Sequence, residues 1–356
     1  MLNLRRKRKP MTDLHFACDY QEGAYPSILK RLEETNYDHT PGYGADEITA
    51  SAKERIRNAC AAPQAEVEFL VGGTQTNAVV IDALLNSYQG VLTAETGHIS
   101  VHEAGAIEFC GHKVLTLPSS EGKITAGQID AFASAYEHDG NRDHLVMPGM
   151  VYLSQPTELG TLYSLQELTA ISRTAHAHGL KLYADGARLA YALASEENTV
   201  SLKDLAELCD VFYIGGTKCG ALFGEAVVIP DPSLIPHFFT IIKQHGALLA
   251  KGRLLGIQFD ELFRDDLYLK IGASAVRQAD EIRNVLSECG YRQTLVNSTN
   301  QIFLVLENSR MKQLASQVEF SFWEQADDNH TVIRLVTSWA SKQEDTEQLV
   351  RILKTL

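Results

Sequence analysis

The chain has 356 residues, of which 45% are hydrophobic and 22% are charged, and it carries a formal net charge of −13. This composition is typical of a globular protein with one large or two medium domains. The acidic excess argues against a general nucleic-acid binder or a protein of anionic membrane surfaces, because both need clustered basic side chains.

One basic cluster lies near the N-terminus, where residues 5–9 read Arg-Arg-Lys-Arg-Lys before Pro10. No periodic apolar pattern accompanies it, so residues 1–13 are predicted to be a disordered basic tail.

No apolar run is long enough to span a bilayer, and no apolar segment of a secretory signal follows the basic residues. The six cysteines show no C-x-x-C spacing, as is typical of reduced thiols. Together these features predict a cytoplasmic protein.

Beyond the tail, apolar spacing predicts a helix with Ile28, Leu29 and Leu32 on one face and a second helix over residues 48–61. A strand over 66–71 is followed at once by a glycine-rich turn, 72–77, and an apolar helix. Such a turn presents free backbone N–H groups and a positive dipole end to a phosphate. It has neither the G-x-G-x-x-G pattern nor a G-K-[ST] ending, so a simple helix-capping turn stays an alternative.

Strands and helices then alternate as far as residue 229. Strands are predicted over 90–94, 113–117, 146–153, 180–184, 211–214 and 226–229. Helices are predicted after Thr125, after Ser164 with its capping-box partner Glu167, and over 202–208. This alternation indicates an α/β fold of three layers, with a mostly parallel sheet covered by helices on both faces.

After Pro230 the pattern changes to longer helical stretches, predicted over 238–255 and 259–288. Strands over 301–306 and 332–336 and a helix over 344–356 follow. The chain is therefore predicted to have a large domain at 14–257, which includes the entry segment, and a smaller α+β domain at 258–356.

Five polar segments follow predicted strands, at 72–77, 95–103, 154–158, 185–188 and 217–218. Because strand carboxyl ends form the ligand crevice of open α/β sheets, we expect these segments to meet at one edge. Lys218 ends an apolar strand, where desolvation lowers the pKa of its amine and makes it a usable nucleophile. With the acid Asp185, His98 and the turn at 72–77, the set provides what pyridoxal phosphate requires: a Schiff-base lysine, an acid for the ring nitrogen and a phosphate anchor.

The order of these motifs resembles the threonine aldolases and related β-eliminating lyases, which have the aspartate-aminotransferase-like fold (pyridoxal-phosphate fold type I). The motifs that carry the resemblance are Gly-Thr-x-x-Asn at 73–77, His-Ile at 98–99, Asp-Gly-Ala-Arg-Leu at 185–189, Lys218 with Gly224, and Arg-Leu-Val-Thr at 334–337. The resemblance covers nearly the whole chain from about residue 14. Its most specific motif is Asp-Gly-Ala-Arg-Leu.

The resemblance implies a role for each matching position. Lys218, His98 and Asp185 would be catalytic, and Glu103 would order the site. The residues implied to bind the cofactor are Gly73, Thr74, Gln75, Asn77, His98, Asp185, Arg188, Thr217 and Lys218. The residues implied to bind the substrate are Arg334, as the clamp of its carboxylate, with Asp19, Tyr43, Gln155 and Thr157. No metal ion is expected.

Two departures from the family pattern limit what the resemblance implies about the substrate. The segment 154–160, Ser-Gln-Pro-Thr-Glu-Leu-Gly, stands where the family reads Glu-Asn-Thr-His-Asn, so a second histidine is missing and Gln155, Thr157 and Glu158 are offered instead. The second departure is the segment 219–224, Cys-Gly-Ala-Leu-Phe-Gly, which differs from the family's pattern of small residues and a proline after the lysine. Apart from these two, Cys18 stands where the family usually has a serine that binds carboxylate. The substrate side chain and its stereochemistry therefore stay open.

The implied activity is retro-aldol cleavage of a β-hydroxy-α-amino acid, of the threonine, allo-threonine or phenylserine type, to glycine and an aldehyde. A β-elimination or a transamination on the same cofactor stays an alternative, and so does a non-catalytic scaffold that binds a nucleotide or another protein. The resemblance also implies a homodimer or homotetramer with shared active sites, in which Tyr43 is contributed from the neighbouring subunit. Neither a nucleic acid nor a membrane is expected as a partner.

Overall fold

The structure, a computed structural model, describes residues 14–356. The predicted basic tail lies outside the described residues. The strands are β1 (Leu14–His15), β2 (Glu66–Leu70), β3 (Gln89–Ala94), β4 (Lys113–Leu117), β5 (Met147–Ser154), β6 (Lys181–Asp185), β7 (Val211–Gly215), β8 (Glu225–Ile229), β9 (Gln293–Leu295), β10 (Gln301–Glu307), β11 (Val318–Glu319), β12 (Ser321–Gln325) and β13 (His330–Val336).

The α-helices are α1 (Pro26–Glu34), α2 (Glu47–Ala59), α3 (Gly73–Leu84), α4 (His98–Val101), α5 (Ala106–Phe109), α6 (Ala126–His138), α7 (Leu165–Ala177), α8 (Leu189–Leu193), α9 (Leu202–Leu208), α10 (Phe238–Gln244), α11 (Arg253–Leu262), α12 (Leu267–Glu288), α13 (Asn308–Leu314) and α14 (Gln343–Thr355). The capping box predicted at Ser164 and Glu167 is present, and Thr125 forms another with Gln128. Among residues 14–356, no helix combines the length and the apolar composition that a bilayer crossing needs.

Seven strands form the large sheet, in the order β2-β8-β7-β6-β5-β3-β4. The pairs from β7 to β4 are all parallel, whereas β8 runs antiparallel to both of its neighbours. The prediction of a mostly parallel sheet is therefore confirmed. Parallel order places the carboxyl ends of β3, β5, β6 and β7 at one edge, where the polar segments that follow them can meet.

Both faces of this sheet are covered. Alternate residues of each central strand enter two different cores: Leu92 and Leu182 pack with α2, α6 and α7, whereas Val91 and Tyr183 pack with α3 and α10. Successive side chains of a strand point to opposite faces, so burial on both faces gives the near-continuous apolar strands seen in the sequence. The predicted three-layer arrangement is confirmed.

A second, smaller unit contains the antiparallel sheet β12-β13-β10-β9 and the short parallel pair of β1 with β11. Its core includes Leu14 and Phe16. The start of the entry segment therefore packs in the smaller unit, although the predicted large domain begins at residue 14. Helix α12 joins the two units, because Ile271 lies in the large core and Ile282 and Leu286 lie in the small one.

The two long helices predicted between residues 238 and 288 were wrong in their bounds. The first ends at Gln244, and the second is split between α11 and α12, where Asp265 and Asp266 take positive φ angles of 51° and 57°.

The predicted domain boundary at 257/258 falls inside α11, which packs closely on α2. At Gly256 a Cβ atom would lie 2.3 Å from Thr49 Oγ1, so this contact requires glycine.

Candidate active site

Two glycines let the ends of strands β6 and β7 approach each other. A Cβ atom on Gly186 would lie 2.0 Å from the carbonyl oxygen of Tyr213, and one on Gly215 would lie 2.4 Å from that of Ala187. No side chain fits at either position, and the backbones are joined by a hydrogen bond from Gly215 N to Gly186 O of 2.9 Å. This contact brings the turn after Asp185 next to the turn that carries Lys218.

Asp185 is a buried carboxylate surrounded by hydrogen-bond donors. The hydroxyls of Tyr152 and Tyr213 donate to it, as do Ala187 N at 2.9 Å and Asn77 Nδ2 at 3.2 Å. Burial on its own would raise the pKa of Asp185, but the charge of His98 and the two tyrosine hydrogen bonds outweigh it and hold the pKa below its usual value. Asp185 therefore stays ionised in the interior.

Lys218 lies within the turn that follows β7, and its side chain lines two adjoining cavities. Burial, followed by the charge of Arg188, lowers the pKa of its amine. The inner cavity has a volume of about 250 Å³ and is also lined by Asp185, whereas the outer one has about 530 Å³ and is also lined by Arg334. His98 and Glu158 line both. A lysine that loses its proton readily beside a buried acid is the arrangement predicted from the sequence.

His98 is oriented by Glu103. The Nδ1 atom of His98 lies 2.7 Å from Glu103 Oε1, which also accepts a hydrogen bond of 2.7 Å from Asn77 Nδ2. A carboxylate only accepts hydrogen bonds, so Nδ1 carries a proton and Nε2 is the ring atom left for other partners. Asn77 is thus a positioning residue, which joins Glu103 to Asp185 from beneath the cavity rather than lining it.

The departure at residues 154–160 places a carboxyl group beside His98. Glu158 Oε1 accepts hydrogen bonds from the backbone N–H of His98 at 2.9 Å and from Ser154 Oγ at 2.6 Å. Burial raises the pKa of Glu158. The segment 154–160 therefore places the carboxyl group of Glu158 beside His98, in the part of the chain where the family pattern has its second histidine. Thr157, from the same segment, also lines the inner cavity.

Arg188 and Asp19 form a buried ion pair. Arg188 Nε and Nη2 donate to the two carboxylate oxygens of Asp19 at 2.7 and 3.0 Å, and Asn300 Nδ2 donates to the same acid at 2.9 Å. Asp19 is fully buried and lines neither cavity. Both of its oxygens already accept hydrogen bonds, so its predicted contact with substrate stays a prediction. Asp19 holds Arg188, which does line both cavities.

Arg334 reaches the outer cavity from strand β13. Its Nη1 atom donates to Gln301 Oε1 at 3.0 Å, and its guanidinium lies 5.4 Å from the centre of the Trp323 ring. Its Nε atom is buried without a hydrogen-bond partner. An unpartnered buried donor is costly unless a ligand accepts from it, so this fork is suited to an anionic group.

The start of α3 contributes to the wall of the inner cavity. Gly73 and Thr74 line it, together with Thr217 and Glu225. Four free N–H groups at a helix start favour an anion there. Glu225 was missed by the sequence analysis, although an acid at the head of the otherwise apolar strand Glu-Ala-Val-Val-Ile was a usable signal.

Besides Asp19 and Asn77, three more predicted residues line neither cavity. Gln75 Oε1 turns back to accept a hydrogen bond of 3.2 Å from Val71 N. Gln155 is held by the backbone of Tyr163 through hydrogen bonds of 2.9 and 3.1 Å, and its predicted contact with substrate stays a prediction. Tyr43 is 45% exposed and lies beside Lys243, whose Nζ is 4.5 Å from the ring centre. Nor does any group of three His, Cys, Asp or Glu side chains within residues 14–356 suit a metal ion.

Comparison with known proteins gives consistent matches over most of the chain. The family model described as beta-eliminating lyase matches residues 16–321. The low specificity L-threonine aldolase of Pseudomonas sp. (strain NCIMB 10558) is 32% identical over 312 residues, which cover 86% of this chain and 89% of that protein. The solved structure of Leishmania major threonine aldolase is similar with a TM-score of 0.93 and 41% identity, covering 96% of this chain and 99% of that one. A Thermus thermophilus aspartate aminotransferase mutant shares the fold alone, with a TM-score of 0.71 and 14% identity over 98% of this chain and 92% of its own.

Proposed function

The chain belongs to the beta-eliminating lyase family, and from this premise we propose that it cleaves a β-hydroxy-α-amino acid of the threonine type into glycine and an aldehyde, with pyridoxal phosphate as cofactor. The similarity to threonine aldolases, at 41% and 32% identity, supports this activity. The observation that carries the proposal is that Lys218, Asp185 and His98 line one cavity.

The residues of the inner cavity fit pyridoxal phosphate. Asp185 is ionised because its pKa is lowered, and its hydrogen-bond donors are all neutral groups, so a protonated ring nitrogen would give it a cationic hydrogen-bond partner. Lys218 has an amine of lowered pKa, suited to attack on a carbonyl. At the other end, Gly73, Thr74 and Thr217 would hold the phosphate.

When bound, pyridoxal phosphate supplies a ring that withdraws electrons from the substrate Cα. Asp185 would keep the ring nitrogen protonated, Lys218 would hold the cofactor through its amine, and Arg188, fixed by Asp19, would be available to it in the same cavity. Arg334 grips the substrate carboxylate, because a guanidinium fork matches two carboxylate oxygens. These contacts orient the substrate with its β-hydroxyl toward His98.

His98 is proposed to accept the proton of the β-hydroxyl at Nε2. Because Glu103 accepts from Nδ1, the ring is fixed in the tautomer whose Nε2 is free to act as a base. As the Cα–Cβ bond breaks, its electron pair stays with Cα, where the bound cofactor would stabilise it, and the hydroxyl becomes the carbonyl of the aldehyde. The proton taken up by His98 balances the one that Cα gains to give glycine. Glu158, bonded to the backbone of His98, fixes the position of that residue from the other side.

We expect His98→Ala to lower kcat by about 10²-fold, the lower end of the range for general base catalysis, because water in the vacated space would act as a poor substitute. Cofactor binding, followed by visible absorbance, should change far less. His102→Ala is a matched control, since its ring lies 5.7 Å from that of His98 but lines only the outer cavity. Equal losses of kcat and of cofactor binding in His98→Ala would contradict this role.

Arg334→Lys should raise KM by about 10–100-fold with a smaller change in kcat, because the charge stays but the bidentate grip is lost. Steady-state kinetics with threonine measure this split. Arg310→Lys, at an exposed position of α13, serves as the control. An unchanged KM would exclude Arg334 as the carboxylate clamp.

Product analysis tests the proposed reaction directly. The purified protein would be incubated with threonine, allo-threonine and phenylserine, and glycine and aldehyde measured. Keto acid and ammonia in their place would favour the alternative, an elimination or transamination on the same cofactor. The ratio of rates for the three substrates would define the side chain and stereochemistry that the segment 154–160 accepts.

The assembly and the compartment are part of the same proposal. We propose a homodimer or homotetramer with shared sites, since Tyr43 is exposed and projects no contact into the cavities of its own chain. A cytoplasmic location is supported by the six cysteines, all of which are free thiols within residues 14–356. Sedimentation of the wild type and of Tyr43→Ala, with activity measured on each, would test the shared site.

A further inference from the structure

Glu225 is a buried acid that no ion pair neutralises. Only 3% of its surface is exposed, and its Oε2 atom accepts a hydrogen bond of 3.0 Å from Gly216 N. Among residues 14–356, no lysine, arginine or histidine nitrogen forms an ion pair with its carboxyl group. A buried acid without a cation needs either a proton or a ligand that compensates it.

The strand register places Glu225 at the α3 end of the inner cavity. It lies opposite Leu70 of β2, and the chain passes from Leu70 into Gly73 at the start of α3 within three residues. On its other side it lies opposite Gly215 of β7. Asp185 is on β6, two strands from β8 and so about 10 Å away at the usual strand spacing. Glu225 and Asp185 therefore stand at opposite ends of the cavity that they share.

Burial raises the pKa of Glu225 to about 8. The Thr217 hydroxyl, the charge of Lys218 and the Gly216 N–H act against this rise, and the charge of Asp185 adds to it. The other titratable groups that face it are Cys219, Tyr183, Tyr213 and Tyr268, all with raised pKa values and hence neutral. At neutral pH the carboxyl is mostly protonated, and it can donate a hydrogen bond.

We propose that Glu225 binds the phosphate group of the cofactor as a neutral acid and donates a hydrogen bond to it. This inference rests on the proposed function. A phosphate monoester carries about −1.5 to −2 charges at pH 7, so an ionised carboxylate at the same end of the cavity would repel it. The protonated acid instead adds a donor to the backbone N–H groups at the start of α3.

Proton linkage determines how the affinity for the phosphate group changes with pH. Binding of the phosphate retains the proton on Glu225, so affinity is highest below the pKa of the free protein. It falls as the pH rises above about 8, by up to about tenfold in Kd per pH unit. Glu225→Gln keeps the shape and a donor but cannot ionise. Its affinity should lack this dependence.

The test measures Kd for pyridoxal phosphate by equilibrium dialysis, from about pH 6.5 to about pH 9.5, for the wild type and Glu225→Gln. The ratio of wild-type to variant Kd cancels the titration of the cofactor itself, whereas an effect of Glu225 on the pKa of Lys218 stays in the ratio and is separated by a second probe. We expect a ratio that is constant below about pH 7.5 and rises by about tenfold per pH unit above pH 8. A constant ratio over the whole range would overturn the inference.

Pyridoxal, which lacks the phosphate, is the second probe. Its ratio should be independent of pH, and a rise equal to that with pyridoxal phosphate would show that Glu225 acts on Lys218 instead. If Glu225→Gln fails to fold, the wild type alone decides, because only pyridoxal phosphate should lose affinity above pH 8 relative to pyridoxal. A wild type that binds neither compound would refute the proposed function, whereas binding without the pH effect would refute only the role of Glu225.

Discussion

Lys218→Ala is expected to lower turnover by roughly 10⁴-fold or more, the scale of loss found when a covalent nucleophile is removed. The amine has a lowered pKa and lines both cavities, and no other lysine within residues 14–356 lines either. Borohydride reduction of the wild type with pyridoxal phosphate should fix the cofactor on the peptide that contains Lys218. The variant should keep weak binding through the phosphate end but show no fixation.

Lys218→Arg and Lys251→Ala separate the possible causes of such a loss. The arginine retains a positive charge but lacks a nucleophilic amine, so it should be as inactive as the alanine variant. Lys251 is exposed, and its replacement should leave both turnover and fixation unchanged. Turnover that survives in Lys218→Arg would refute covalent attachment at this position.

Asp185→Asn is expected to lower kcat by on the order of 10³-fold, comparable to the loss of a charge-stabilising group in other active sites. The amide cannot hold a proton on the ring nitrogen by charge. It also meets two tyrosine hydroxyls and two N–H groups that all donate to the present carboxylate, so its own NH₂ would lack acceptors. A loss of about 1–3 kcal/mol in the free energy of unfolding should accompany the kinetic effect.

Denaturant unfolding and steady-state kinetics measure the two effects separately. Asp210→Asn is the matched control, because Asp210 also accepts hydrogen bonds, from Leu182 N and His176, but lies at the far end of β7. It should lose some stability and retain kcat. An Asp185→Asn enzyme with normal kcat would show that the acid serves the fold alone.

The layered sheet could be predicted because each strand is apolar on both faces and is followed by a glycine or a polar turn. The antiparallel direction of β8 could not, since its apolar run Glu-Ala-Val-Val-Ile looks the same in either direction. The breaks at 245–252 and 263–266 contain no proline, and the sequence analysis gave no weight to Gly246 and Gly252 in the first or to the charged run Arg-Asp-Asp in the second. At Asp265 and Asp266 the chain turns through positive φ angles that acidic residues tolerate.

In the site, Lys218, Asp185 and His98 could be selected by their position at the ends of strands. Asp185 is the last residue of β6, and Lys218 and His98 follow β7 and β3. Contacts between distant segments were not readable in the same way. Asp19 and Arg188 are 169 residues apart. The partner of Gln155 was not predicted either, although Tyr163, whose backbone forms two hydrogen bonds with it, is only 8 residues further along the chain. A polar residue that is close in sequence to a site residue can thus be hydrogen-bonded to the backbone instead of lining the cavity. Which of the two occurs depends on the fold.

The pairing of β1 with β11 has a consequence for synthesis on the ribosome. His15 and Glu319, which face each other across this pair, are 304 residues apart. At 5–20 residues per second, about 15–60 s pass between the synthesis of the first and of the second. During that time Leu14 and Phe16 have no partner strand, while the large sheet, complete by residue 229, can already form. The first described strand of the chain is therefore expected to be among the last to be incorporated, and a chaperone that shields apolar N-terminal segments would act in this interval.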